Sequence, residues 1–264
     1  MDPQDVAWAA TVPIGSWHTW EFVLCPDAAE GGGSMRQAWP RRVGESWAEL
    51  DPEGAAERSR VEAGRRARRQ LRQYCAANRL NRLGTLTYAG AGCYEPAEVR
   101  ADAAAFIRGV RGSLGKPFPY VWVPEWHSKG HGLHLHFAVG RYIPVGVIRQ
   151  AWERGWVNIK LLGDLPVGSG SLAESRLAAR YLGKYVAKSF GEAPASGWRV
   201  PAGLHRYEVA QGFQPSRLRI VGHTDLEVLA EAEGVMRRPA ARRWYSNEAK
   251  GWMGPPAMWA SWDR

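Results

Sequence analysis

The alternation of apolar and polar positions divides the chain into a strongly patterned middle and two less regular flanks. From 52 to 79 the spacing is helical, and Asp51-Pro52 suits a helix start because proline is tolerated in the first turn. Residues 83–88 (LGTLTY) have the β-branched and aromatic bias of a strand. Residues 95–113 place Val99, Phe106 and Val110 at the spacing of one buried helix face. Strands follow at 120–127 and 133–139, separated by a glycine-containing turn. A short helix at 145–154, a strand at 156–162 and a well-patterned helix at 171–190 complete the series. In that last helix Leu172, Leu177, Leu182 and Val186 supply the buried contact. Strand, helix, strand, strand, helix, strand, helix is an α+β order, suited to an antiparallel sheet of about five strands flanked by helices.

The flanks read differently. Residues 1–52 form an irregular N-terminal extension in which 16–25 (SWHTWEFVLC) could hold a strand, and Gly31-Gly32-Gly33-Ser34 reads as a break in regular structure. Residues 53–82 are a basic helix, 83–190 the central domain, and 191–264 a C-terminal extension of unassigned fold. That last part carries the pairs Arg237-Arg238 and Arg242-Arg243 and three tryptophans in its final segment.

Composition narrows the function classes. With 264 residues, 45% of them hydrophobic, the chain can bury a substantial core, which argues against disorder except at the ends. A formal charge of +9 favours a polyanionic partner, with nucleic acid ahead of a membrane surface. No apolar run approaches the roughly 18 residues that span a bilayer, and the N-terminus lacks a signal-peptide pattern, so a soluble cytoplasmic protein is expected. Cys25, Cys75 and Cys93 stand far apart, which suggests neither a disulfide framework nor a thiolate metal site. Between 57 and 82 there are nine arginines against two acids, Glu57 and Glu62. Such a stretch is either a solvated helix face or a phosphate-contacting helix, with Arg65, Arg66, Arg68, Arg69 and Arg72 as candidates for DNA contact.

Four of the seven histidines lie between 127 and 136. In a strand His134 and His136 project from the same face, about 7 Å apart, while Leu133, Leu135 and Phe137 point to the other. An even hairpin loop, such as a two-residue type II′ turn at Gly130-His131, puts Glu125 and His127 on the histidine face. An odd loop would bring Pro124 and Trp126 there instead. Two histidines on a strand are otherwise simply packed or exposed; the same-face carboxylate turns the pair toward a metal. Glu125, His134 and His136 form the candidate ligand set, with His127 in reserve.

A second constellation is Tyr181-Leu-Gly-Lys184-Tyr185-Val-Ala-Lys188, two overlapping copies of Tyr-x-x-Lys. Helical residues four apart differ by about 40° in azimuth and about 6 Å in rise, so the tyrosines share one face and the lysines form an adjacent stripe. Alone, this is an ordinary amphipathic helix. A phenol beside a cation and a metal, however, suits attack on a metal-polarised phosphodiester.

Taken in order, Thr85-Leu-Thr-Tyr88, His134-Leu-His136 and the Tyr181–Lys188 helix resemble the HUH endonuclease superfamily. Within it they are similar to rolling-circle replication initiators of small plasmids and single-stranded DNA phages. The resemblance covers roughly 83–190. It implies a five-stranded antiparallel sheet related to the RRM and ferredoxin-like arrangement, with the histidines on central strands. It also implies Mg²⁺ or Mn²⁺ held by His134, His136 and Glu125. Tyr185 would attack single-stranded origin DNA, leaving a 5′-phosphotyrosine link and a 3′-hydroxyl for a host polymerase, and Tyr181 would serve the second transfer. Lys184 or Lys188 would stabilise phosphate or phenolate charge. The chain lacks a phosphate-binding Gly-x-x-x-x-Gly-Lys-Ser/Thr loop, so a host helicase would unwind the duplex. A relaxase or single-strand transposase of the same superfamily, or a non-catalytic RRM-like binding protein, are the competing readings.

Overall fold

The computed structural model describes residues 18–37, 52–127, 130–160, 171–188, 205–252 and 254–263. In chain order its elements are β1 (His18–Cys25), β2 (Glu30–Gln37), α1 (Pro52–Ala77), β3 (Arg82–Tyr88), α2 (Pro96–Leu114), β4 (Tyr120–Trp126) and β5 (Leu133–Val139). There follow α3 (Val145–Trp152), β6 (Gly155–Lys160), α4 (Ser171–Lys188), β7 (Glu208–Val209), β8 (Leu218–Gly222), α5 (Asp225–Met236), β9 (Arg242–Tyr245) and β10 (Ala257–Ser261). The class is α+β, with two antiparallel five-stranded sheets. They belong to two compact units, one spanning Asp51–Pro215 and the other built from the chain up to Leu50 together with Ser216–Asp263.

In the first unit the strand order is β6-β3-β5-β4-β7. The central strand β5 is buried along its whole length, and period-2 alternation sends its side chains into two different cores. Leu133, Leu135, Phe137 and Val139 pack with Val99, Phe106 and Val110 of α2 and with Ile148 and Trp152 of α3. On the opposite face Leu83, Val121, Val123 and Ala138 meet Leu71, Tyr74 and Cys75 of α1 and Ala178, Leu182 and Val186 of α4. Helices therefore cover both faces of the sheet. Each fully buried leucine here contributes roughly 2–3 kcal/mol of transfer free energy. Gly84 is required because its cross-strand partner Phe137 leans into the space a β-carbon would occupy.

The expected helices and strands of this region are all present, with ends shifted by a few residues. The helix expected at 145–154 stops at Trp152, where Glu153 turns left-handed (φ 43). The ends of the strand expected at 156–162 and of the helix expected at 171–190 run into 161–162 and 189–190, outside the described residues. Leu172, Leu182 and Val186 are buried as the spacing requires, and Leu177 is half-buried.

The second unit corrects the reading of the glycine run. Gly31-Gly32-Gly33-Ser34 does not interrupt the structure; it lies inside β2, which pairs along its full length with β1. Tertiary packing overrides the local preference: the Phe22 ring lies where a Gly31 side chain would be, and the backbone at Glu21 and Phe22 crowds Gly33. Residues 16–25 do hold a strand from His18 onward. The sheet order is β8-β1-β2-β10-β9, so the segment after 215 supplies three strands to it. The helix α5 packs against β1 and β8. Its start is capped: the Thr224 hydroxyl accepts from Glu227 N–H (3.1 Å), and the Glu227 carboxylate accepts from His223 N–H (2.7 Å).

Cys25, Cys75 and Cys93 are free and buried. Among the described residues no helix is long and apolar enough to cross a membrane.

Candidate metal and nucleophile site

Glu125 on β4 and His134 and His136 on β5 converge on one face of the first sheet. Glu125 stands directly opposite His134, and Val123 opposite His136. The turn is not the two-residue type expected at Gly130-His131. Trp126 pairs with Leu133, so six residues separate the strands; His127 N–H donates to Gly132 O (2.8 Å) and Gly130 N–H to His127 O (3.0 Å). Leu133 N–H donates to Cys93 O (2.7 Å), and Cys93 forms a parallel bridge with Gly132, so that end of β5 is held on its other side as well. Six and two are both even, so the face assignment survives while the pairing slides.

The three ligand-type atoms form a nearly equilateral triangle. Glu125 Oε2 is 3.0 Å from His134 Nε2 and 2.9 Å from His136 Nε2, and the two Nε2 atoms are 3.0 Å apart. Three donor atoms each about 2.1 Å from a common cation are separated by about 3.0 Å at right-angle octahedral positions and about 3.4 Å at tetrahedral ones. Separations of 2.9–3.0 Å leave all three atoms within reach of one cation. A carboxylate with two imidazoles is a donor set that divalent cations accept. Glu125, His134 and His136 are thus a group able to hold a divalent cation.

His136 is oriented from behind. Its Nδ1 lies 3.0 Å from Thr85 Oγ1, and Thr85 is its register partner on β3. With Nδ1–H donating to that hydroxyl, the Nε2 lone pair faces the triangle. His127, the reserve candidate, does not join the triangle; its ring packs edge-on against His134 at 5.4 Å.

The α4 tyrosines close over this group. The Tyr185 ring is stacked on His136 (centroids 3.9 Å apart, 8° between planes), and Tyr181 meets both His136 (5.9 Å) and Tyr185 (5.2 Å) edge-on. Burial, then the hydrogen bond with Tyr181, then the negative charge of Glu125 push the Tyr185 phenol well above its usual range. Of the two α4 lysines, Lys184 is exposed, and the Lys188 side chain lies outside the described residues. The cation that stands over the Tyr181 ring is Lys160 of β6, its Nζ 4.2 Å from the centroid. Neither α4 spacing nor the local pattern points to Lys160; only the β6–β3 register puts it on the same face as Leu83 and Thr85.

That register adds one more residue. Trp156 pairs with Thr87, which pairs with His134, so Trp156 shares the triangle's face about 10 Å away across two strand spacings. It is 61% exposed, whereas Trp122 and Trp152 are core residues and Trp126 is half-buried. On α1, Arg65, Arg66, Arg68 and Arg69 are exposed and Arg72 half-buried; Arg65 pairs with Glu62 at 2.7 Å. These arginines form no part of the His–Glu group.

The chain matches no curated protein and no solved structure. Residues 81–190, about two-fifths of the chain, match the family model described as Replication-associated protein ORF2. The matched segment runs from β3 through α4 and contains the triangle, Thr85, Trp156, Lys160 and both tyrosines. Over the stretch that carries its site, the chain is similar to replication-associated proteins of that family.

Proposed function

We propose that the chain is a replication initiator that nicks and rejoins single-stranded origin DNA through tyrosine attack. The observation that carries this reading is the stack of Tyr185 on His136, which sets a phenol directly against the carboxylate–imidazole triangle. A divalent cation held by Glu125, His134 and His136 would polarise the scissile phosphate and offset the Glu125 charge that disfavours a phenolate. The site's own groups do the rest. Tyr185 Oη attacks phosphorus and gives up its proton; the Oη–P bond forms, the P–O3′ bond breaks, and the 3′-oxygen leaves as a hydroxyl. The product is a 5′-phosphotyrosine and a 3′-end that a host polymerase extends after a host helicase opens the duplex.

Tyr181, hydrogen-bonded to Tyr185, serves the second transfer that rejoins the displaced strand. Lys160 supplies positive charge beside it, a role the α4 lysines share only as far as their side chains reach inward. Trp156 offers a ring on which an unpaired base stacks beside the scissile phosphate, and the exposed α1 arginines follow the backbone.

The test is incubation of the purified chain with end-labelled single-stranded DNA from its own replicon, in Mn²⁺ or EDTA, on a denaturing gel. A cleaved product with a covalent protein–DNA adduct, lost in EDTA and in Tyr185→Phe, is expected. Tyr181→Phe is expected to keep the first adduct and lose rejoining. Cleavage without an adduct would make water the nucleophile; sequence-specific binding without cleavage would favour a binding module.

A further inference from the structure

We propose that the second sheet, β8-β1-β2-β10-β9, carries a separate surface for single-stranded DNA, made by tryptophans that stack on bases and arginines that meet phosphates. The surface itself stands on this unit alone; the choice of DNA over RNA rests on the function proposed above. One side of the sheet is the core, with Phe22, Leu24, Ile220 and Met258 buried. Period 2 and the pairing register put a different set on the other side. Val23 lies beside Gly32, Gly32 beside Trp259, and Trp259 beside Trp244, while Glu21 is flanked by Val221 and Ser34.

Aromatic content and shape suit unpaired bases. The Trp259 Cδ1 atom lies 3.5 Å from where a Gly32 side chain would begin. The small residues Gly32 and Ser34 thus leave a shallow trough alongside that ring. Trp244 stands opposite Trp259 on the edge strand, and Trp252 packs edge-on against Trp244 at 5.6 Å. Trp252 is 44% exposed, and its Nε1–H donates to Pro255 O (2.9 Å), which fixes the ring. A ring held in place and open to solvent stacks on any base at little entropic cost.

Charge selects the partner. The same side presents Arg36, Arg219 and Arg242; of its two acids Glu30 is buried, and Glu21 is held between Arg219 (3.1 Å) and Arg36 (3.6 Å). The side chains of Arg36 and Arg219 remain about two-thirds exposed, at 67% and 66%. The helix α5 carries Asp225, Glu227, Glu231 and Glu233 and no lysine or arginine. A basic aromatic sheet face in a unit whose helix is acidic complements a single-stranded polyanion.

The experiment is fluorescence anisotropy with the full-length chain and a labelled dT20 oligonucleotide in EDTA, so that binding is read without cleavage. A chain that forms no adduct in the preceding test still reports on this face, and the two readings fail separately. Trp244→Ala/Trp252→Ala is expected to weaken binding at least ~10-fold. Arg219→Gln is expected to flatten the salt dependence by roughly 0.7 in log–log slope. An oligonucleotide carrying 5-iodouracil, photo-crosslinked to the unmodified chain, is expected to label peptides from 242–259. Unchanged affinity in the double variant, or crosslinks confined to 81–190, would overturn the proposal. So would a dimer that the double substitution dissolves while DNA affinity holds, which would assign the face to a second copy.

Discussion

The Thr85 hydroxyl touches no ligand directly in the proposed chemistry, yet it fixes the ring that does. Replacing it with valine keeps the shape and removes the hydroxyl that pairs with His136 Nδ1. Thr85→Val is therefore expected to lower cation affinity about 10–100-fold, with Thr85→Ser retaining it. Titration of Mn²⁺ by calorimetry reads this without any DNA. Lys160→Gln removes the charge over Tyr181. A cation–π contact is worth about 0.5–2 kcal/mol, so the rejoining step is expected to slow roughly 2–30-fold, measured by single-turnover strand transfer. The two residues differ in how far they were legible. Glu125, His134 and His136 are accessible from sequence because face parity depends only on whether a loop is even. Thr85 sits in a recognisable strand, but its role needs the β3–β5 register. Lys160 needs the β6 register and the rotation of α4 together, and no local pattern encodes either.

At the scale of elements, β5 has two jobs. Its odd positions hold the sheet to α2 and α3, and its even positions build the site. Leu135→Ala, at a residue 1% exposed, is expected to cost about 2–5 kcal/mol, read by urea unfolding, and to loosen the histidines on either side. The hydrophobic periods of α2, β4, β5 and α4 were readable because each element buries a face within one sheet. The length of the hairpin loop was not, because glycines in left-handed backbone, here Gly130 (φ 74) and Gly132 (φ 69), suit longer even loops as well as a two-residue turn. The strand β2 was not readable either. EGGGSMRQ carries turn residues from Gly31 to Ser34, and it is extended because β1 and β10 pair with it on both sides. The Phe22 ring then fills the space its glycines leave.

For the molecule as a whole, the +9 charge implies binding that weakens with salt. For single strands the log–log slope falls by about 0.7 per phosphate contact. Replacing Arg65, Arg66, Arg68 and Arg69 by glutamine is expected to flatten that slope by up to about 3. Their loss should weaken binding to all sequences alike, as anisotropy titrations from 50 to 300 mM salt would show. The division into units also has a temporal side. The β1–β2 hairpin is made before the strands that flank it, β8 and β10, which lie beyond residue 215. The whole first unit is synthesised in between. At about 5–20 residues per second, some 180 residues take roughly 10–35 s. For that interval two glycine-rich and aromatic edges stand unpaired, exposed to chaperones, to proteases and to the same edges of neighbouring nascent chains.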